Sequence, residues 1–104
     1  MDKIVVLITA PSEDVAAEIA RAIVGERLAA CANIVKGIRS IYRWEGAVQD
    51  DPEALMVVKT HASLFDALER RVRELHPYTV PEIIAMPIVS GSKPYLDWIS
   101  DSTG

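Results

Sequence analysis

The chain has 104 residues, of which half are apolar and a quarter are charged, an ordinary composition for a globular protein. Its formal charge of −4, from fifteen acidic and eleven basic side chains, argues against a dedicated nucleic-acid-binding protein. A chain of this length can build one hydrophobic core, so residues 1–104 are predicted to form a single domain, and the longest apolar run, Ile4–Ile8, is too short to span a bilayer.

The single cysteine, Cys31, excludes an intrachain disulfide. No signal peptide is predicted, because Asp2 and Lys3 lead directly into an apolar strand. A reducing cytoplasm is therefore the expected location. The alanines on both sides of Cys31 favour a small buried side chain, and a thiol that binds metal or reacts is the alternative.

The first half of the chain is predicted to form a strand, a helix and a long extended segment. The run Ile4–Ile8 has no polar alternation, which predicts a strand that is covered on both faces. Ser12 is a favourable N-cap for a helix that should fade near Leu28. The segment Ala30–Trp44 is predicted to be extended, with Gly37 marking a bulge or a close backbone approach.

A hairpin and a third strand follow. Glu45-Gly46 is a plausible turn, and Ala47 begins the return. The segment Gln49–Pro52 is predicted to break the strand, with its proline suggesting an edge position or a bulge. The third main strand is predicted at Ala54–Thr60.

The last part of the chain predicts a helix, a strand and a short final helix. Ser63 and Asp66 resemble a capping box for a helix that ends at His76. Ile83–Val89 is predicted to be the fourth strand, partly at a sheet edge because it contains a proline. A short helix is then predicted at Pro94–Ser100.

This order of elements predicts an α+β fold, the ferredoxin-like βαββαβ sandwich with a short C-terminal helix. Two helices cover one face of such a sheet, yet its strands are apolar at successive positions. A bare second face would exceed the apolar patch that monomers usually expose. We therefore expect a closed homo-oligomer whose sheets pack face to face. A trimer fits this arrangement, and symmetry alone would also allow a dimer.

Most side chains that could bind a ligand or take part in a reaction lie in Leu75–Ile83. Prolines stiffen this loop after the second helix. His76 is a candidate metal ligand or acid–base group, with a helix-capping role as the alternative. Tyr78 and Glu82 could join it around a cleft, and Lys59 at a strand end could meet an anion. For each of these residues a solvated or structural role is the competing interpretation.

No strong catalytic or metal-binding signature is present in the sequence. Its histidine, cysteine and carboxylate side chains are scattered, so a metal site would need residues brought together by folding or by neighbouring subunits. Imidazole with thiolate would suit copper or zinc. An enzyme that uses Glu82 or His76 as a general base is the least favoured hypothesis, because no set of nucleophile, base and orienting group is visible.

Several segments together resemble the CutA divalent-cation tolerance proteins, in the order and spacing of that family. They are Glu26–Asn33, Ser40–Gly46, Lys59-Thr60, His76–Ile83 and Tyr95–Trp98.

The resemblance implies a homotrimer of ferredoxin-like subunits, similar in assembly to the PII signalling proteins. It also implies a non-enzymatic role in tolerance of copper or another divalent cation. His76 matches a histidine associated with metal in that family, and Cys31 matches one of the family's cysteines. Another cysteine of some members corresponds to Ile8, so a copper site built on that thiol cannot exist here. The alternative is a PII-like signalling module that binds a small anion in an intersubunit cleft near Tyr78, Glu82 and Lys59.

Overall fold

A computed structural model describes residues 2–104 of the chain as four strands and three α-helices. In chain order the elements are β1 (Lys3–Ala10), α1 (Glu13–Gly25), β2 (Cys31–Trp44), β3 (Ala47–His61), a 3₁₀ turn (Ala62–Leu64), α2 (Phe65–Leu75), β4 (Ile83–Pro87) and α3 (Lys93–Asp101). The longest of these helices, α1, has 13 residues. Within residues 2–104, no helix is long and apolar enough to span a membrane.

The four strands form one antiparallel sheet in the order β2-β3-β1-β4. Two crossover helices connect β1 to β2 and β3 to β4, which is the ferredoxin-like arrangement that the order of elements predicts. The predicted fold class is therefore confirmed. The edge position predicted for the proline-containing fourth strand is also confirmed, because β4 pairs with β1 alone.

The hydrophobic core lies between one face of the sheet and the helices α1 and α2. Alternate residues of β1 point into it, and Val6 and Ile8 are fully buried. Helix α1 contributes Ile19 and Ile23, and α2 contributes Leu68, all without exposed surface. Ser12 caps α1 as predicted, because its Oγ accepts a hydrogen bond of 3.1 Å from the backbone N–H of Val15.

The other face of the sheet is only partly covered within the single chain. Val5 and Leu7 on β1 are half-buried, while Ile84 and Met86 on β4 are 52% and 47% exposed. Helix α3 contacts β3 and buries Ile99, which lies outside the main core cluster. The sequence predicts that β1 is covered on both faces. Within this single chain, β1 is fully covered only on the face that packs against the helices.

Strands β2 and β3 form a long hairpin that extends beyond the rest of the sheet. Pairing of β1 with β3 stops at Ala54, so residues 47–53 pair with β2 only. The predicted break at Gln49–Pro52 is wrong, because β3 continues through it. Its proline is tolerated since this part of β3 has a neighbour on one side, which confirms the edge position. Gly37, with φ of +77°, lies in the predicted bulge, where the register shifts between Val35 and Ile38.

Several predicted boundaries need correction. Helix α1 ends at Gly25 and not near Leu28, and β4 ends at Pro87 and not at Val89. The predicted capping box at Ser63 is wrong, because α2 begins at Phe65 after the 3₁₀ turn and Leu64 is its N-cap, without a side-chain bond. The hydroxyl of Ser63 lies instead 3.4 Å from Nδ1 of His61.

Candidate functional site

His76 ends α2 and is held by three hydrogen bonds. Its backbone N–H donates to the carbonyl oxygen of Val72 at 2.8 Å, which closes the last turn of the helix. Its ring Nε2 lies 2.7 Å from the carbonyl oxygen of Thr9, and the backbone N–H of Tyr78 donates to Nδ1 at 3.2 Å. Because a carbonyl only accepts and an N–H only donates, these partners assign the proton to Nε2. The side chain is therefore a buried clamp between β1 and the loop that follows α2.

Tyr78 continues this network toward the hairpin. Its ring packs against that of His76 at a centroid distance of 4.7 Å and an interplanar angle of 52°. Its hydroxyl donates a 2.9 Å hydrogen bond to Oε2 of Glu53 on β3. On the same face of the hairpin, the hydroxyl of Tyr42 donates to Oδ2 of Asp51 at 2.7 Å. One tyrosine–carboxylate pair therefore joins the loop to the hairpin, and a second pair lies within the hairpin.

Glu53 is the residue of this site that the sequence-based reasoning missed. It is 8% exposed, although glutamate is rarely buried without a partner. The signal in the sequence is a glutamate between Pro52 and the apolar run that begins at Ala54, directly after the segment Gln49–Pro52 that is predicted to be a break. Because β3 continues through this segment, Glu53 lies on the strand and faces the loop.

Burial, followed by the Glu53 carboxylate, raises the pKa of Tyr78 from 10.0 to about 12. A pKa that is raised in the folded state means that folding favours the protonated phenol. The stability that this group contributes is therefore complete below pH 10.0 and is lost as the pH rises toward about 12. Between these values, the free energy of unfolding of the wild type should fall more steeply with pH than that of Tyr78→Phe. Parallel curves from denaturant titrations at each pH would contradict this expectation.

A cleft of about 990 Å³ lies between the hairpin and the loop after α2. Its walls are hairpin residues 39–45, Glu53 and loop residues 77–80, together with Thr9 and Glu82. The structure thus places Tyr78 and Glu82, two of the predicted binding residues, on one cleft. His76 lies behind the wall of this cleft and holds Tyr78 in place.

Lys59 and Cys31 lie elsewhere, on directly paired positions of β3 and β2. The Lys59 ammonium and the Cys31 thiol both approach Oδ1 of Asn33. Burial, followed by the nearby Cys31 thiol, raises the pKa of Tyr95 on α3. Lys59 is six residues from Glu53 along the same strand, which is about 20 Å of extended chain. One chain therefore does not bring Lys59 to the cleft.

The predicted metal ligands do not fit a metal site within one chain. Both ring nitrogens of His76 already have backbone partners. Cys31 is aligned through β3 with Val5, whereas His76 contacts Thr9, four residues farther along β1 and about 13 Å away at the rise of a strand. No group of three or more histidine, cysteine or acidic side chains with metal-binding geometry occurs within residues 2–104. His76 and Cys31 as metal ligands stay predictions.

Known sequences related to this chain cover nearly all of it. The family model described as CutA1 divalent ion tolerance protein matches residues 4–102. A divalent-cation tolerance protein CutA from Thermus thermophilus is 60% identical over 100 residues, which are 96% of this chain and 97% of that protein. Protein CutA from Homo sapiens is 51% identical over 96 residues, 92% of this chain and 54% of the human protein, so the chain spans about half the length of that relative.

Solved structures agree with this match. The divalent cation tolerance protein Cut A1 from Thermus thermophilus superimposes with a TM-score of 0.96 at 59% identity, covering 98% of this chain and 99% of that one. Crystalline CutA1 from Oryza sativa gives a TM-score of 0.96 at 48% identity, covering 100% of this chain and 95% of that one. Sequence and fold together show that the chain belongs to the CutA1 divalent ion tolerance family.

Proposed function

We propose that the chain acts in divalent-cation tolerance as a non-enzymatic homotrimer. Membership in the CutA1 family supports the general role. The observation that carries the assembly is the partly bare face of the sheet, on which Val35, Ile84 and Met86 are each about half exposed. Burial of apolar surface gains roughly 25 cal/mol per Å², so packing this face against another copy stabilises both.

The overhanging hairpin supports the same proposal. Residues 47–53 of β3 have β2 on one side and an unpaired edge on the other. Exposed edges of this kind pair readily with another strand. Ile41 and Val48, which are 64% and 65% exposed on the hairpin, would also find cover against a neighbouring subunit. A closed ring of three copies satisfies both the sheet face and the edge.

The mass of the protein in solution tests the assembly. Sedimentation equilibrium should give three copies of the 11.4-kDa chain, about 34 kDa, because a closed cyclic assembly has one defined size. A single species at the mass of one chain would refute the trimer. A mass of two chains would support the dimer that symmetry also allows.

Copper or another divalent cation is the proposed metal partner, and His76 and Cys31 are its predicted ligands. Since these two side chains lie apart within one chain, a shared ion would need His76 from one subunit and Cys31 from another. Isothermal titration with Cu(II) of the wild type, Cys31→Ser and His76→Ala tests this prediction. Equal binding of Cu(II) by the wild type and both variants would show that His76 and Cys31 are not the ligands. The proposed role in metal tolerance would not be affected by that result.

The alternative is a PII-like signalling module that binds a small anion. The volume of the cleft favours a small-molecule ligand of some kind, and Tyr78 and Glu82 line it. An anion site would require Lys59 from a neighbouring subunit, because the lysine of the same chain lies at the other end of β3. A thermal-shift screen of nucleotides and acidic metabolites tests this alternative, and the absence of any stabilising anion would count against it.

A further inference from the structure

Arg27 has a backbone conformation that is unusual for a residue with a side chain. Helix α1 ends in a Schellman motif, in which the backbone N–H of Leu28 donates to the carbonyl oxygen of Ile23 at 2.9 Å. The backbone N–H of Arg27 donates to the carbonyl oxygen of Val24 at 3.1 Å. This motif places Arg27 in the left-handed region, with φ of +62°, at the position that glycine usually occupies. An arginine is strained there, whereas a glycine would not be.

The side chain of Arg27 joins the end of α1 to the end of α3. Its Nη2 donates a 2.9 Å hydrogen bond to the carbonyl oxygen of Asp101, the last residue of α3, and its Nε donates a 3.0 Å bond to that of Gly104. The backbone N–H of Gly104 donates in return to the carbonyl oxygen of Arg27 at 3.0 Å. A cation at the C-terminus of a helix also interacts favourably with the helix dipole. The strained residue is therefore the one that fastens α3.

These contacts do not depend on how the subunits assemble. Every donor and acceptor in them belongs to the same chain. They lie at the turn between α1 and β2, and not on the overhanging hairpin or at the unpaired edge of β3. Another copy can therefore cover the sheet face without replacing any of these partners.

Within its own chain, α3 is otherwise weakly anchored. Its contacts are chiefly with β3, and Ile99 is the residue that it buries, outside the main core cluster. Ser92, its N-cap, makes no side-chain capping bond to the described residues. The segment 89–92 that leads into α3 is exposed, has no regular structure and contains Gly91. Elements with few buried apolar contacts open locally at a lower free energy than the core does.

We propose that α3 is a strap that opens as a unit about residues 89–92, and that the side chain of Arg27 is the latch that keeps it closed. Opening breaks the hydrogen bonds at the C-terminal end of α3 and leaves the sheet, α1 and α2 folded. Tyr95 of α3 lies near the Cys31 thiol, so opening also changes the surroundings of a predicted metal ligand. The proposal concerns the motion of α3 and is independent of metal binding.

Hydrogen–deuterium exchange of the assembled protein, measured by mass spectrometry of its peptides, tests the strap. Arg27→Gly is the main variant, because glycine accepts the left-handed conformation of the turn while the guanidinium is removed. Arg21→Ala is the matched control, since it removes an exposed arginine from α1. We expect exchange in residues 93–104 to be faster by roughly tenfold or more in Arg27→Gly. Exchange in β1 and α2 should match the wild type, and Arg21→Ala should match it throughout.

The latch would be refuted by equal exchange of residues 93–104 in all three proteins, whether its own sheet or another copy then holds α3. Faster exchange along the whole chain of Arg27→Gly would show a loss of global stability and would refute the strap. Arg27→Ala keeps the strain of the turn but also lacks the guanidinium, so its α3 should open as readily. Acceleration in Arg27→Gly alone would assign the effect to the flexibility of glycine and would overturn the proposal. Sedimentation of the same variants separates a change of assembly from opening of the strap.

Discussion

Replacing His76 with alanine is expected to lower the free energy of unfolding by about 2–4 kcal/mol, because the change leaves the Thr9 carbonyl and the Tyr78 N–H without their partners. The ring is 7% exposed, so its removal also leaves a cavity beside Tyr78. Guanidinium denaturation at a fixed protomer concentration measures the loss. The concentration must be fixed, since assembly contributes to the apparent stability.

His61→Ala is the matched control for this substitution. His61 is the other histidine of the chain, and its side chain is 28% exposed. Its contacts are long, at 3.6 Å to Asp2 and 3.4 Å to Ser63. Its removal should therefore change the stability by less than about 1 kcal/mol. Similar losses in the two variants would show that His76 does not clamp the loop.

Ile84→Asp is expected to convert the proposed trimer into single chains. Ile84 pairs with Leu7 on the partly bare face of the sheet and is 52% exposed in one chain. An aspartate there remains hydrated in the separate chain, but in a face-to-face assembly it would be buried without a partner, at a cost of several kcal/mol per subunit. Sedimentation should show the mass fall from three chains toward one, while circular dichroism stays close to that of the wild type.

Val24→Asp provides the comparison for this experiment. Val24 is an apolar residue of similar exposure, 39%, but it lies on α1 in the helix layer. The same chemical change should leave the mass unaltered if the sheet face is the contact. Loss of the trimer in both variants, or in neither, would argue that the subunits meet through another surface.

The loop after α2 links the stability of the fold to the shape of the cleft. Pro77 follows the helix-ending His76, whose ring joins the loop to β1 while Tyr78 joins it to Glu53. The loop therefore serves as a rigid joint and, at the same time, forms one wall of the cleft. Substitutions in the joint should change the shape of the cleft as well as the stability, because both depend on the position of Tyr78.

Much of the fold could be predicted because it depends on neighbouring residues. Ser12 caps its helix through a bond to Val15, three positions away. Glu45 and Gly46 have φ of +51° and +78°, the values that a two-residue hairpin turn requires. The capping box at Ser63 failed although its residues are suitable, because β3 continues to His61 and a 3₁₀ turn occupies the next three positions.

Local residue patterns therefore specify the order of the elements, the bulge at Gly37, the hairpin turn and the stiff loop around His76. The packing of the folded chain selects which of the polar and ionisable side chains come into contact. Packing brings Tyr78 to Glu53, which is 25 positions away in the sequence, and places Lys59 and Cys31 at the other end of the sheet. The physical reason is that strand register and loop placement determine these contacts through the packing of the whole sheet, whereas caps and turns depend on a few adjacent residues.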